Sequence, residues 1–193
     1  MDDAPGRESP RLLTTRNIAL AALSAALTAL GAYVSFPVYG AVPFSLQVFA
    51  VLLAGLVLGA RLGALSMLAY VILGLVAPVY AGGSSGLGTL FGPAGGYIWG
   101  FVAAAFVAGL IVERARPGGV LGLAAAAAAG LLPIYVLGAA WLSVYLQTSS
   151  FSVIVWGGVL QFVPVDAVKV VLAALVARAL VAAPLQLPAY GRR

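Results

Sequence analysis

Apolar residues run through this chain in long unbroken blocks, not in the one-sided stripes of a soluble helix. Several blocks approach the ~20 residues a helix needs to cross a hydrocarbon core. The pattern predicts six spans: Asn17 to Val34, Phe44 to Ala60, Leu62 to Val79, Ala94 to Val112, Val120 to Tyr145, and a sixth ending near Val181. A membrane β-barrel would instead alternate apolar and polar residues over ~10-residue segments, and no such alternation is present. The expected class is an all-α integral membrane protein. It has a six-helix domain over residues 17–183, a tail over 1–16 and a tail over 184–193. Pro133 lies inside the fifth block and predicts a kink there.

The sixth span has two candidate starts. A start near Val153 would place Asp166 near mid-membrane. A start at Pro164 leaves 18 residues to Val181, roughly 27 Å at 1.5 Å per residue, which just spans the core. Pro is favoured at the first helical position, and an acid in the first turn suits the helix dipole. The second start is preferred. Phe151 to Val163 then becomes a separate apolar segment, a short or re-entrant helix beside the outer mouth.

The polar positions between the blocks sort by charge. Arg7, Arg11 and Arg16 precede the first span, and Arg61 lies at the second-to-third turn. Glu113, Arg114 and Arg116 lie between the fourth and fifth, and Arg178, Arg192 and Arg193 close the chain. The connections Ser35 to Pro43, Tyr80 to Pro93 and Leu146 to Ser150 contain no charge at all. Every Arg falls on one side, which the positive-inside rule makes the cytoplasm, with both termini inside. The net charge of +5 therefore reflects topology. A nucleic-acid surface would gather its cations on one exposed domain. The uncharged outer connections mix Gly with Leu, Tyr and Phe, and are expected to fold back over the bundle.

Composition agrees. Of 193 residues, 63% are hydrophobic and 8% charged, whereas soluble domains carry about 25% charged residues. No Cys or His occurs, which removes thiolate chemistry, Cys/His metal sites and the Ser-His-Asp and Cys-His arrangements. A Ser-Lys dyad remains formally open. The sole Lys lacks the Gly-Lys-Ser/Thr context of a phosphate-binding loop. No enzyme activity, metal or cofactor is expected.

That Lys is the centre of the candidate chemistry. Asp166-Ala167-Val168-Lys169 places an acid and a base at i, i+3, on one helical face. Ions in lipid cost at least a few kcal/mol each and need partners. The pair is either a helix clamp or a ligand site, and its uncharged surroundings favour the site. Gln47 also needs a partner within lipid, from another helix or a ligand. The stretch Gly82 to Gly96, with Tyr80, Phe91, Tyr97 and Trp99, has the composition of a pocket wall or lid, although aromatics near span ends more often anchor at the interface. Gly55, Gly59 and Gly63 recur every four residues and predict close helix contact. Ala21, Ala25 and Ala29, with Ala22 and Ala26 beside them, form a small-residue face. It could pack internally or against a partner membrane protein.

These residues fall into ordered motifs. Val42-Pro43-Phe44-Ser45-Leu46-Gln47 resembles "VPFTLQ" of the BioY family, the biotin-binding S components of energy-coupling factor (ECF) vitamin transporters. Leu53 to Gly59 is similar to its "LAGxxLG", and Pro78-Val79-Tyr80-Ala81-Gly82-Gly83 to its "PVFAGG". Gly92-Pro93-Ala94-Gly95-Gly96-Tyr97 resembles "GPTGGY", with Ala94 in place of Thr. Phe162 to Lys169 resembles "PFxPGDxxK", with Val165 where the family often has Gly. The matches run in order over about residues 42–173.

The resemblance implies a six-helix S component that binds biotin from outside and partners an ECF module of a transmembrane coupling protein and two ATP-binding subunits. The S component would topple in the membrane to deliver its vitamin. Asp166 would accept hydrogen bonds from the ureido N–H groups and Lys169 would meet a polar end of the ligand. Gln47, Tyr80, Gly82, Gly83, Tyr97 and Trp141 would line the site. Ala21, Ala25 and Ala29, or Ala22 and Ala26, would contact the coupling protein. Self-association is also open to such a face. The expected location is a bacterial-type cytoplasmic membrane. The rival function is ion-coupled secondary transport of a small organic acid through Asp166.

Overall fold

A computed structural model describes residues 14–36, 42–148, 150–183, 185 and 187–190. Most of the two expected tails, including Arg7, Arg11, Arg192 and Arg193, lies outside the described residues, as do residues 37–41 of the first outer connection.

The chain is a bundle of apolar helices. Helix α1 spans Thr15–Tyr33, and the Thr14 side chain caps it by accepting from the Asn17 N–H at 3.2 Å. A two-residue ladder follows, β1 (Ser35–Phe36) against β2 (Phe44–Ser45), antiparallel, with Ser35 opposite Ser45. The remaining helices are α2 (Gln47–Leu58), α3 (Ala60–Leu73), a short α4 (Gly86–Leu90), α5 (Gly95–Ala115) and α6 (Val120–Tyr145). Then come α7 (Phe151–Val155), which runs into a π-helical turn (Trp156–Leu160), and α8 (Val163–Ala182). Among the described residues, four helical stretches suffice by length and composition to cross a membrane: α1, α5, α6 and the run Phe151–Ala182.

The second and third expected spans are shorter than their apolar blocks. Helix α2 has 12 residues and α3 has 14, about 18 and 21 Å at 1.5 Å per residue. At the start of α2, Phe44 and Ser45 are drawn into the β ladder, and the Leu46 N–H donates to the Gly31 and Val34 carbonyls that end α1. Helix α2 is buried along nearly its whole length. Its all-round apolar surface is therefore that of a core helix enclosed by the others.

Helix α3 ends at Leu73 with Gly74 as its C-cap, and Tyr80 folds back on this end. The Tyr80 hydroxyl donates to the Val71 carbonyl at 2.7 Å, one of the four carbonyls a helix end leaves unpaired. Its ring occupies the space where Gly74 would carry a side chain. The Tyr70, Ile72 and Leu73 carbonyls are taken by the N–H groups of Gly74, Leu75, Val76 and Ala77.

All three spaced glycines sit at close contacts, as expected, Gly59 against Gly109 and Glu113 of α5. A Cβ on Gly55 would run into the Ala105 carbonyl of α5, and one on Gly63 would lie 3.2 Å from the Gly55 Cα. Gly59 also forms a corner. It has φ of +83°, a conformation open to Gly at little cost, and it breaks the chain sharply between α2 and α3. The Glu113 side chain fills the corner, accepting from the Ala60 N–H at 2.9 Å and so capping the first turn of α3. Small residues also bring α5 and α6 together: Gly100 meets the Ile134 backbone, and Gly130 meets Ala104 and Ala108.

The Glu113–Ala60 contact fixes the ends of the bundle. The α2–α3 corner with Arg61, and the end of α5 with Arg114 and Arg116, lie together. Helix α1 starts at this end, since it leads to the ladder before α2. Ala189 of the terminal turn Pro188–Tyr190 sits beside Gly59. The Arg-rich connections are therefore gathered at one end, and the uncharged ones at the other.

Candidate functional site

Helix α8 begins one residue before Pro164, with Asp166 in its first turn, and α7 with its π turn forms a separate segment before it. Both features match the preferred sequence reading. Asp166 and Lys169 share one face, 2% and 6% exposed, with Lys169 Nζ 2.7 Å from Asp166 Oδ1. The second carboxylate oxygen accepts from the Tyr135 hydroxyl of α6 at 2.8 Å. The site thus holds two opposite charges that cancel. Unused capacity remains on both, because a carboxylate offers about four acceptor positions and an ammonium three donors.

Opposite α8, the start of α2 supplies a chain of hydrogen bonds. The Ser45 hydroxyl donates to Gln47 Oε1 at 2.9 Å, the Gln47 amide donates to the Tyr70 hydroxyl, and Tyr70 donates to the Val79 carbonyl at 3.1 Å. Each buried group finds a protein partner, as a low-polarity interior requires. Tyr80 is fully buried and packs edge-on against Tyr70, with ring centroids 5.7 Å apart. Burial raises its phenol above the ordinary range, so it stays a neutral donor.

Between these walls lies a cavity of about 360 Å³, within the ~300–1,000 Å³ typical of small-molecule sites. Ile98, Phe101, Ile134 and Phe162 provide apolar lining, with Phe162 edge-on to Phe44 at 5.0 Å. Ser45, Gln47, Ser84, Thr89, Tyr135, Asp166 and Lys169 provide the polar positions. Residues of the loop segment Ala81 to Pro93 and the strand entry Val42-Pro43 line its other side. Loop and bundle are tied by the Gly82 N–H donating to Ser35 Oγ at 3.1 Å and Tyr33 Oη to the Pro78 carbonyl at 2.9 Å.

Five of the sequence candidates, Gln47, Tyr80, Tyr97, Asp166 and Lys169, meet in this cavity. Three do not line it. Gly82 and Gly83, both at φ +71°, form the turn that carries Ala81 and Ser84 inward. Trp141 lies behind the wall, where its indole N–H donates to the Gly92 carbonyl at 2.9 Å and its ring packs on Gly95 and Gly96. Tyr135, absent from the candidates, touches Asp166 directly. Its signal was a phenol hydroxyl deep in an apolar block, which must find a buried partner.

The small-residue face of α1 also divides. Ala25 and Ala29 are buried and Ala21 packs against the core, so this row is used within the bundle. Ala22 and Ala26 are exposed, flanked by Ile18, Leu23 and Leu30. The outward-facing part of the expected partner surface is therefore Ala22 and Ala26.

The model of the BioY family matches residues 6–185. The chain belongs to the BioY family. It is 41% identical to the probable biotin transporter BioY of Pyrococcus horikoshii, over 87% of this chain and 98% of that protein. It is 40% identical to the biotin transporter BioY of Thermotoga maritima, over 84% and 94%, and 42% identical to that of Rhodobacter capsulatus, over 84% and 92%. A crystal structure of the S-component for biotin from an ECF-type ABC transporter superimposes with a TM-score of 0.80 at 24% identity, covering 87% of this chain and 94% of that one. The shared architecture places this BioY chain among multi-pass membrane proteins of that fold.

Proposed function

We propose that this chain binds biotin at the Asp166–Lys169 cavity and is the substrate-binding S component of an ECF transporter. The observation that carries the reading is a closed polar constellation in an apolar pocket of suitable size, in a chain whose relatives are named biotin transporters. Biotin presents two ureido N–H donors and one carbonyl acceptor beside an apolar bicycle. Asp166 has acceptor positions for the N–H groups. Lys169 donates one proton to Asp166 and has two for a carbonyl. Tyr135 holds the carboxylate in place, and Phe101, Ile134 and Phe162 suit the rings and chain. Gln47 and Tyr80 shape the opposite wall, and Tyr97 packs beside Phe162 with its hydroxyl on the Gly158 carbonyl.

The chain carries no phosphate-binding loop, so energy comes from ATP hydrolysed elsewhere. The partner is an ECF module, a transmembrane coupling protein with two ATP-binding subunits, docked on the exposed Ala22–Ala26 face of α1. The chain is a carrier and not an enzyme. It sits in a bacterial-type cytoplasmic membrane with both termini inside, as the gathered Arg residues support.

Saturable binding of labelled biotin to the purified protein is the expected result, and its absence overturns the reading. The rival, ion-coupled transport through Asp166, is less well supported, since the relatives are named biotin transporters. It predicts uptake that collapses with the proton gradient and needs no ATPase.

A further inference from the structure

The polar groups of the cavity are distributed unevenly, and this bears on which part of a ligand is recognised. Its only charges, Asp166 and Lys169, cancel at the inner wall. An anionic group placed on Lys169 would share that ammonium with Asp166 Oδ1, 2.7 Å away. It would leave a net negative charge in an apolar wall, which is costly unless paired. The part of the ligand that enters here is neutral.

The opposite, outer side offers no cation to hold an anion. The sequence contains no Arg or Lys between Asn17 and Ala60, between Leu62 and Val112, or between Pro117 and Val168. The three hydroxyls on that side already donate their protons: Ser45 to Gln47 Oε1 at 2.9 Å, Ser84 to the Ala81 carbonyl at 3.0 Å and Thr89 to the Ser85 carbonyl at 3.1 Å. Residues 37–41, outside the described set, carry no charge either. A carboxylate that extends to this side keeps its water shell and gains no charged partner.

We infer that this pocket recognises the neutral bicycle of biotin and not its carboxylate, so that its ligands include biotin esters and amides as well as the free acid. The inference rests on the biotin reading above. Where an anion is recognised, a charge-assisted pair separates acid from ester, since such bonds are about twice as strong as neutral ones. Here no cation is available to do so, and among the described residues the Ser45, Ser84 and Thr89 hydroxyls already donate elsewhere.

The test is competition against labelled biotin on the purified full chain, with unlabelled biotin, biotin methyl ester and biotinamide as competitors. Ester and amide are expected to compete within tenfold of the acid. Either derivative binding more than tenfold more weakly overturns the inference, while leaving the biotin reading in place. If labelled biotin itself shows no saturable binding, the functional reading fails and the inference falls with it.

Discussion

A clamp and a binding site make different demands on Asp166 and Lys169, and a double-mutant cycle separates them. Lys169→Met leaves Asp166 buried with only the Tyr135 hydroxyl, and Asp166→Asn leaves Lys169 buried beside an amide. Removing one member of a buried pair costs about 3–5 kcal/mol, whereas replacing both is often close to neutral. Each single variant should therefore unfold well below the parent in a detergent thermal scan, and the double variant should recover most of the loss. Ligand binding should not recover. Each charged group offers the ligand hydrogen bonds worth about 1.5–3 kcal/mol, and ~1.4 kcal/mol is tenfold in Kd. Biotin affinity by titration calorimetry should fall at least tenfold in the Lys169→Met variant, and further in the double variant. A double variant that is stable and binds biotin like the parent would refute the ligand role. One as unstable as the singles would refute the electrostatic argument.

Other perturbations have equally direct outcomes. Tyr135→Phe keeps the ring and removes the donor to Asp166, so it should cost about 1.5–3 kcal/mol of stability and weaken biotin binding, as unfolding and titration would register. Gly138→Ala drives a methyl group into the Tyr97 ring; overpacking of this kind costs roughly 1–3 kcal/mol and should disturb the cavity wall, lowering both unfolding temperature and affinity. Gly59→Ala should destabilise strongly, through the positive φ and the Glu113 carboxylate behind it. Glu113→Gln keeps an acceptor for the Ala60 N–H and should stay near the parent, whereas Glu113→Ala loses a cap worth about 0.5–2 kcal/mol. Ala22→Trp with Ala26→Trp should abolish co-purification of ATP-binding subunits and leave biotin binding intact; retained co-purification would remove α1 as the docking face.

What could be read from residues alone was the local chemistry. Pro164 and Asp166 mark the start of α8 because a helix N-terminus tolerates Pro and favours an acid, and i, i+3 spacing aligns Asp166 with Lys169. Features set by distant contacts were not legible. The sequence places the second-to-third turn at Arg61, and only the positive φ of Gly59 and the arrival of Glu113 from α5 put the break two residues earlier. Gly74 and Pro78 are local stop signals for α3, but the return of Tyr80 onto the Val71 carbonyl and over Gly74 is set at a distance. Tyr135 lies 31 residues from Asp166, and an isolated Tyr in an apolar block reads equally well as an interfacial anchor. Trp141 shares the outer region with the cavity, but its indole is turned to the Gly92 carbonyl.

The absence of charge from the outer connections has an energetic consequence for motion. A charged side chain near the centre of a bilayer costs about 2.5–3.5 kcal/mol or more, so a mouth ringed with Lys or Glu would be anchored in the headgroup layer. In this chain the outer end bears no such anchor, and its two ions neutralise each other under Phe162. Tilting that end towards the hydrocarbon exposes Leu, Phe and Gly to lipid and drags no ion with it. On the proposed orientation, the Arg-rich end would behave oppositely and serve as a pivot at the inner leaflet. The same sequence asymmetry that sets orientation at insertion thus leaves one end of the folded body held and the other free to swing.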